Sequence, residues 1–233
     1  MVQKDRLRAN RFGTVLNVTS SKQEIELGEA LVEVSEAITL RFGLELVHHK
    51  NVLLSSIVED LKEAYPSVEW ANMSPRSAMN PDGGILSAVT ADGRHLPILI
   101  TEVKNQGTND LRAAEGLKRQ SMGNAIERLG KNVIGFRTMM LEEGIIPFLC
   151  FGYGYDFHEG SSILDRVRTI AMFGELNRVS VVPEGEDGRF NRGSFFFRQE
   201  PWSREEMVDV MEEVATRSVF FYLSKYGERA LQS

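Results

Sequence analysis

The sequence predicts an α/β fold, with a mixed central β-sheet flanked by helices, and three observations support it. Amphipathic helix patterns occupy residues 21–42, near the start of the chain, and residues 203–226, near its end. Between them, residues 83–104 have the pattern of a β-hairpin, and residues 145–152 form an apolar run of strand length. Strands enclosed in sequence by helices are typical of a sheet between helical layers.

The helices are predicted from the spacing of their apolar residues. Over residues 21–42, one helical face carries Leu27, Leu31, Val34, Ile38 and Phe42. Ser21 and Glu24 have the spacing of a capping box at its start. A second helix is predicted over residues 51–65, and it should end there because a proline follows. A third is predicted over residues 123–143, with inward side chains at Ile126, Val133, Met140 and Leu141.

The strands are predicted from short apolar runs and the turns between them. Asp92 and Gly93 form a strong hairpin signal between residues 83–90 and residues 95–104. Short strand patterns also occur at residues 178–182 and 193–198. The long pattern at residues 203–226 predicts a closing helix.

Composition narrows the class of protein. The hydrophobic fraction of 42% and the charged fraction of 26% are ordinary for a globular protein, and no apolar run approaches the roughly 20 residues of a membrane span. The N-terminus has no apolar secretory core, and a lone Cys150 allows no internal disulfide, so a cytoplasmic location is expected. The net charge of −6 argues against nonspecific nucleic-acid binding. Residues 104–137, however, carry seven basic and three acidic residues, which is typical of an anion site or of a solvated helix face.

Charged residues gather at one end of the predicted hairpin. Glu102 and Lys104 point to the same side of the second strand, because side chains alternate along a strand. Asp82 precedes the first strand, and antiparallel pairing brings the start of that strand beside the end of the next. Two carboxylates that approach each other need a cation or a proton between them, and oxygen ligands suit Mg²⁺. With a lysine beside them, these groups indicate metal-assisted phosphodiester hydrolysis. The alternative is an exposed cross-strand ion pair between Glu102 and Lys104.

The segment "GNAIERLGKN", residues 123–132, is the next informative stretch. Gly123 permits close backbone approach, and Asn124 suits the start of a helix, where free N–H groups attract anions. Asparagine and arginine are also common readers of base edges in DNA. The alternative is an ordinary capped surface helix.

Together, "NPDGGI", "TEVKNQG" and "GNAIERLGKN" resemble, in order and spacing, the motifs of the EcoRI-like type II restriction endonucleases, which belong to the PD-(D/E)xK nuclease superfamily. The resemblance is good over residues 80–157. It implies one restriction-endonuclease-like domain over residues 1–233, with an N-terminal helical part at 1–66, a catalytic and recognition core at 67–160, and C-terminal strands with a closing helix at 161–233.

The resemblance also implies roles for individual residues. Asp82 and Glu102, with the carbonyl of Val103, would bind Mg²⁺, and Lys104 would position the attacking water. The implied DNA-contacting residues are Gln106, Ser121, Met122, Gly123, Asn124, Ala125, Glu127, Arg128 and Lys131. Of these, Asn124, Ala125 and Arg128 would read adenines and the adjoining thymines, and Glu127 would brace the arginines. The residues just before Gly123 depart from the family pattern, which leaves the outer base pair open.

The implied substrate is double-stranded DNA with a palindromic site around an AATT centre. A site with two-fold symmetry calls for a homodimer. The resemblance further implies 5′-phosphate ends with a four-base 5′ overhang, a companion DNA methyltransferase that forms no stable complex, and no membrane partner. Two other functions fit the same fold. One is a structure-selective repair or recombination nuclease, and the other is a noncatalytic DNA-binding protein on a nuclease scaffold.

Overall fold

The computed structural model describes residues 15–106, 116, 124–154, 157, 163, 165–167, 180–182 and 192–231. The helices are α1 (Val15–Phe42), α2 (Leu54–Ala64), α3 (Asn124–Met139) and α4 (Arg204–Tyr226), followed by a 3-10 turn at Glu228–Ala230. The strands are β1 (Leu46–His49), β2 (Val52–Leu53), β3 (Ala78–Met79), β4 (Gly84–Val89), β5 (His95–Asn105), β6 (Ile146–Tyr153), β7 (Ser180–Val182) and β8 (Arg192–Arg198). Within these residues, none of the helices combines the length and the hydropathy needed to span a membrane.

The main sheet is mixed, as the sequence predicts, and has the strand order β1-β4-β5-β6-β8-β7. The pairs β1–β4 and β4–β5 are antiparallel, whereas β5–β6, β6–β8 and β7–β8 are parallel. Strands β2 and β3 form a separate antiparallel pair. Strand β5 therefore has an antiparallel neighbour on one side and a parallel neighbour on the other, and its last residues, from Glu102 to Asn105, pair with β6.

The hairpin between β4 and β5 is confirmed. The Gly93 amide donates to the Thr90 carbonyl at 2.8 Å, and the Thr90 amide donates to the Arg94 carbonyl at 2.9 Å. Ile85 pairs with Ile100, and Gly84 pairs with Thr101. This register brings the residue before β4 beside the last third of β5.

Helices cover the sheet and bury its apolar residues. Helices α1 and α4 pack against each other, α4 packs on β5 and β6, and α3 packs on β6. The predicted apolar face of α1 is confirmed at Leu27, Leu31, Val34 and Ile38, which are buried, while Phe42 is partly buried. Cys150 is buried in β6.

Some local predictions are wrong. Ser21 does not cap α1, because the helix already runs from Val15. Leu141 is exposed rather than inward, because α3 ends at Met139 and the chain then turns. The part at residues 1–66, predicted as helical, also supplies β1 to the main sheet and β2 to the small one.

Candidate active site

The turn before β4 sets the position of Asp82. The Gly83 amide donates to the Thr101 carbonyl at 3.0 Å, and the Gly84 amide donates to the Pro81 carbonyl at 3.0 Å. Asp82 is thereby held next to β5, where its Oδ2 accepts a hydrogen bond from the Val103 amide at 3.2 Å. The predicted approach of the first carboxylate to the second strand is thus present in the structure.

One ammonium group joins the predicted catalytic residues. Lys104 Nζ lies 2.7 Å from Asp82 Oδ2 and 2.5 Å from Glu102 Oε1. It also donates to the Val103 carbonyl at 3.2 Å. The three groups predicted as metal ligands therefore face a single positive charge.

Burial makes this cluster unlike a surface ion pair. Glu102 is only 1% exposed and the Lys104 side chain is 14% exposed. The alternative of an exposed pair between these two residues is wrong, because a carboxylate at this depth has lost most of its hydration. Such a charge is costly to bury unless it is paired and hydrogen-bonded.

The burial also changes the acidity of both groups. Desolvation raises the pKa of Glu102 and the charge of Asp82 raises it further, while Lys104 and a hydrogen bond from Asn132 oppose the shift. For Lys104, burial alone would lower the pKa, but Glu102 and Asp82 outweigh it and the pKa is raised. The lysine therefore carries its proton at neutral pH and acts as a fixed cation.

The acceptors fit a hard divalent ion. Asp82 Oδ2 and Glu102 Oε1 both contact Lys104 Nζ. The distance between these two oxygens is therefore at most the sum of the two contact distances. Oxygens that share one Mg²⁺ lie roughly 3–4 Å apart, and this ion commonly takes one or two carboxylates and keeps several waters. Across the residues described, no three His, Cys, Asp or Glu side chains converge on one point. A metal here would therefore use two carboxylates and a backbone carbonyl.

Close packing holds the turn that carries Asp82. The exposed His48 donates from Nε2 to the Gly83 carbonyl at 2.9 Å. Gly84 has a φ of +81°, which favours glycine, and a Cβ there would collide with the His48 ring. A Cβ at Gly83 would collide with the Thr101 hydroxyl and crowd Leu27 of α1. The two glycines are thus required by the contacts around them.

Sequence reasoning missed His48 and two further residues of this region. Asn132 of α3 donates from Nδ2 to both carboxylate oxygens of Glu102, at 2.9 Å each. Glu24 is exposed on α1, yet partial desolvation and the charge of Asp82 raise its pKa, while Lys104 opposes the shift. The available signal for Glu24 was a carboxylate one helical turn before the buried Leu27. For Asn132 it was a polar residue beside the buried Val133.

The described residues among those predicted to contact DNA lie on one helix and at one strand end. Glu127, Arg128 and Lys131 are exposed on α3. Gln106 directly follows β5, and its amide donates to the Tyr153 carbonyl at 3.0 Å. The helix begins at Asn124 and includes Ala125, for which only the backbone is described, and Ser121, Met122 and Gly123 lie outside the described residues.

Comparison with known proteins identifies relatives of this chain. The chain is 25% identical over 240 residues to the type II restriction enzyme RsrI of Cereibacter sphaeroides. This alignment covers 88% of this chain and 87% of the relative. It is 29% identical over 143 residues to the type II restriction enzyme EcoRI of Escherichia coli, covering 58% of this chain and 52% of that enzyme. The family model of restriction endonuclease EcoRI matches residues 10–229. Since this match extends over most of the chain, the protein belongs to the EcoRI restriction endonuclease family.

Proposed function

We propose that the protein is a type II site-specific deoxyribonuclease that hydrolyses phosphodiester bonds of double-stranded DNA with the help of Mg²⁺. The observation that carries this proposal is the contact of Lys104 with both Asp82 and Glu102, at a buried position that a merely structural ion pair does not need. Buried clusters of perturbed ionisable groups are typical of functional sites. Family membership supports the same reaction.

The residues divide the chemical work as follows. Asp82 and Glu102, with the Val103 carbonyl, would hold Mg²⁺. Once bound, this ion supplies Lewis acidity for the phosphate and a more acidic water as nucleophile. Lys104, which contacts both carboxylates, would orient the attacking water and stabilise negative charge on the phosphate. The Val103 amide, which donates to Asp82, keeps that carboxylate turned toward the site.

Recognition is proposed for α3. The exposed Arg128 and Lys131 supply positive charge on a helix whose start carries Asn124. Such a helix in the major groove would read adenines and thymines, in a palindrome with an AATT centre, through Asn124, Ala125 and Arg128. A homodimer matches this symmetry. A four-base 5′ overhang with 5′-phosphate ends, a companion DNA methyltransferase and a cytoplasmic location complete the proposal.

Digestion of a DNA of known sequence, followed by sequencing of the fragment ends, tests this function. We expect ends at one palindrome with Mg²⁺ and no product with Ca²⁺ in its place. Ends scattered over the sequence, or found only at branched or nicked DNA, would favour a structure-selective nuclease. Specific binding without any product in Mg²⁺ would favour a noncatalytic DNA-binding protein. Size-exclusion chromatography with light scattering tests the dimer.

A further inference from the structure

The hydrogen bond from Asn132 to Glu102 links two parts of the protein that have separate proposed tasks. Glu102 lies on β5 among the proposed metal ligands, and Asn132 lies on α3, the proposed reading helix. A side-chain amide nitrogen carries two hydrogens, so Asn132 can donate one to each carboxylate oxygen. The plane of the Glu102 carboxylate is therefore set by the position of α3.

The remaining contacts of Glu102 make this bond decisive for its orientation. Among the described residues, the other polar partner of Glu102 is Lys104, whose ammonium contacts Oε1 at 2.5 Å. Since Glu102 is almost fully buried, its carboxylate depends on donors from the protein around it. Without Asn132, Oε2 has no hydrogen bond among those described around it, and the carboxylate is free to rotate about its terminal bond.

The place of Asn132 on α3 connects it to recognition. Arg128 lies four residues earlier, so the two side chains stand one turn apart on the same side of the helix. Leu129, Val133 and Phe136 are buried, with Phe136 one turn after Asn132, and they fix the helix to the body of the protein. A small movement of α3 as Arg128 binds a base would change the orientation of the Glu102 carboxylate, because the Asn132 side chain is bonded to it.

We propose that Asn132 is a positioning residue that couples the placement of α3 on its DNA site to the orientation of Glu102, an inference that rests on the proposed function. It follows that Asn132 governs metal binding and the cutting step more than DNA binding. The residue acts through Glu102 and is not itself proposed to touch the reacting phosphate.

Two variants and one control test the proposal. Asn132→Ala removes the donor, and Asn132→Leu removes it while nearly keeping the shape, so that the result does not depend on one variant's folding. Ile134→Ala serves as the control, because Ile134 lies on the same helix and is 55% exposed. Three quantities are measured for each: Mn²⁺ affinity of the protein by electron paramagnetic resonance, DNA affinity in Ca²⁺ by fluorescence anisotropy, and single-turnover cutting as a function of Mg²⁺.

In both Asn132 variants we expect DNA affinity within about threefold of wild type, and a loss on the order of 10–100-fold in metal affinity or cutting rate, as for other residues that orient a metal ligand. The Mg²⁺ concentration for half-maximal cutting should rise, and Ile134→Ala should match wild type. Unchanged Mn²⁺ affinity together with unchanged cutting overturns the inference. Equal losses in binding and cutting also overturn it, because they would make Asn132 a simple DNA contact. A wild-type protein that cuts no duplex contradicts the proposed function, whereas the Mn²⁺ comparison still tests the role of Asn132.

Discussion

Lys104, near the end of β5, donates a hydrogen bond at 2.7 Å to Asp82, which lies just before the start of the neighbouring strand β4. The same ammonium contacts Glu102, so the two carboxylates share one cation that belongs to the chain. This relationship is the basis of the first prediction, on the cutting step.

Lys104→Met keeps the apolar stem and removes the charge. We expect the single-turnover rate to fall on the order of 100-fold or more, because a fixed cation at the reacting phosphate is lost. Specific DNA binding in Ca²⁺ should persist. Lys22→Met, at a lysine whose side chain is 72% exposed, is the matched control. Cutting by Lys104→Met at the wild-type rate would remove the lysine from the mechanism.

Arg128→Ala tests recognition. Arg128 is exposed on α3, and the loss of a bidentate base contact costs ~1–3 kcal/mol of specific binding. Fluorescence anisotropy with a cognate duplex and with a scrambled one should show a loss of discrimination. Arg217→Ala on α4, where the arginine pairs with Glu213, is the control and should leave the discrimination intact. An Arg128→Ala protein that still separates the two duplexes as well as wild type does would rule out base reading by this residue.

Gln23→Leu tests how much the hydrogen bonds between α1 and the segment just before α4 stabilise the fold. Gln23 is 2% exposed; its Nε2 donates to the Trp202 carbonyl at 2.7 Å, and its oxygen accepts from the Trp202 amide at 2.9 Å. Leucine leaves both backbone groups buried and unpaired, at roughly 1–3 kcal/mol for each. Urea unfolding should show this decrease in the free energy of unfolding, whereas Lys22→Leu on the exposed face should change it little. A decrease in Gln23→Leu no larger than in that control would contradict the prediction.

Glu206 gives the stability a defined pH dependence. Hydrogen bonds from Arg198, partly opposed by desolvation, and from Ser203 lower the pKa of Glu206 from 4.5 to about 2. Because the folded-state pKa is the lower one, the stabilisation is fully present above about pH 4.5 and is lost as the pH falls toward 2. Glu206→Gln should therefore be less stable than wild type near neutral pH, and the difference should shrink on acidification.

Thermal unfolding at a series of pH values measures that difference. Glu205→Gln is the control, since Glu205 is the exposed neighbour in the same helical turn and should show no such trend. A difference between wild type and Glu206→Gln that stays constant from pH 6 to pH 2 would contradict the role of the carboxylate. Salt should reduce the effect only in part, because Arg198 contacts both carboxylate oxygens at 2.6 Å.

The parts of the fold and site that could be predicted are those encoded by local patterns. Gly93 indicates the hairpin turn. Side chains alternate along β5, which places Glu102 and Lys104 on the same side of the strand. Antiparallel pairing then delivers Asp82 to the same place. These inferences need only neighbours in sequence or a single strand pairing.

The missed features depend on contacts between distant segments. Strand β1 is four residues long and carries two histidines, so it lacks an apolar signature and is defined by its pairing with β4. Asn132 meets Glu102 only because α3 packs over that part of the sheet. Glu24 approaches Asp82 because glycine at position 83 allows α1 to come close. Spacing along the chain contains none of this information.

The shared ammonium also bears on how the resting protein is kept intact. Lys104 already reduces the repulsion between Asp82 and Glu102, so the fold does not depend on an added ion to tolerate the two carboxylates. The protein should thus survive purification and storage in a chelator with its melting temperature preserved. The divalent ion can then be added at a chosen moment, and cutting can be followed from that point.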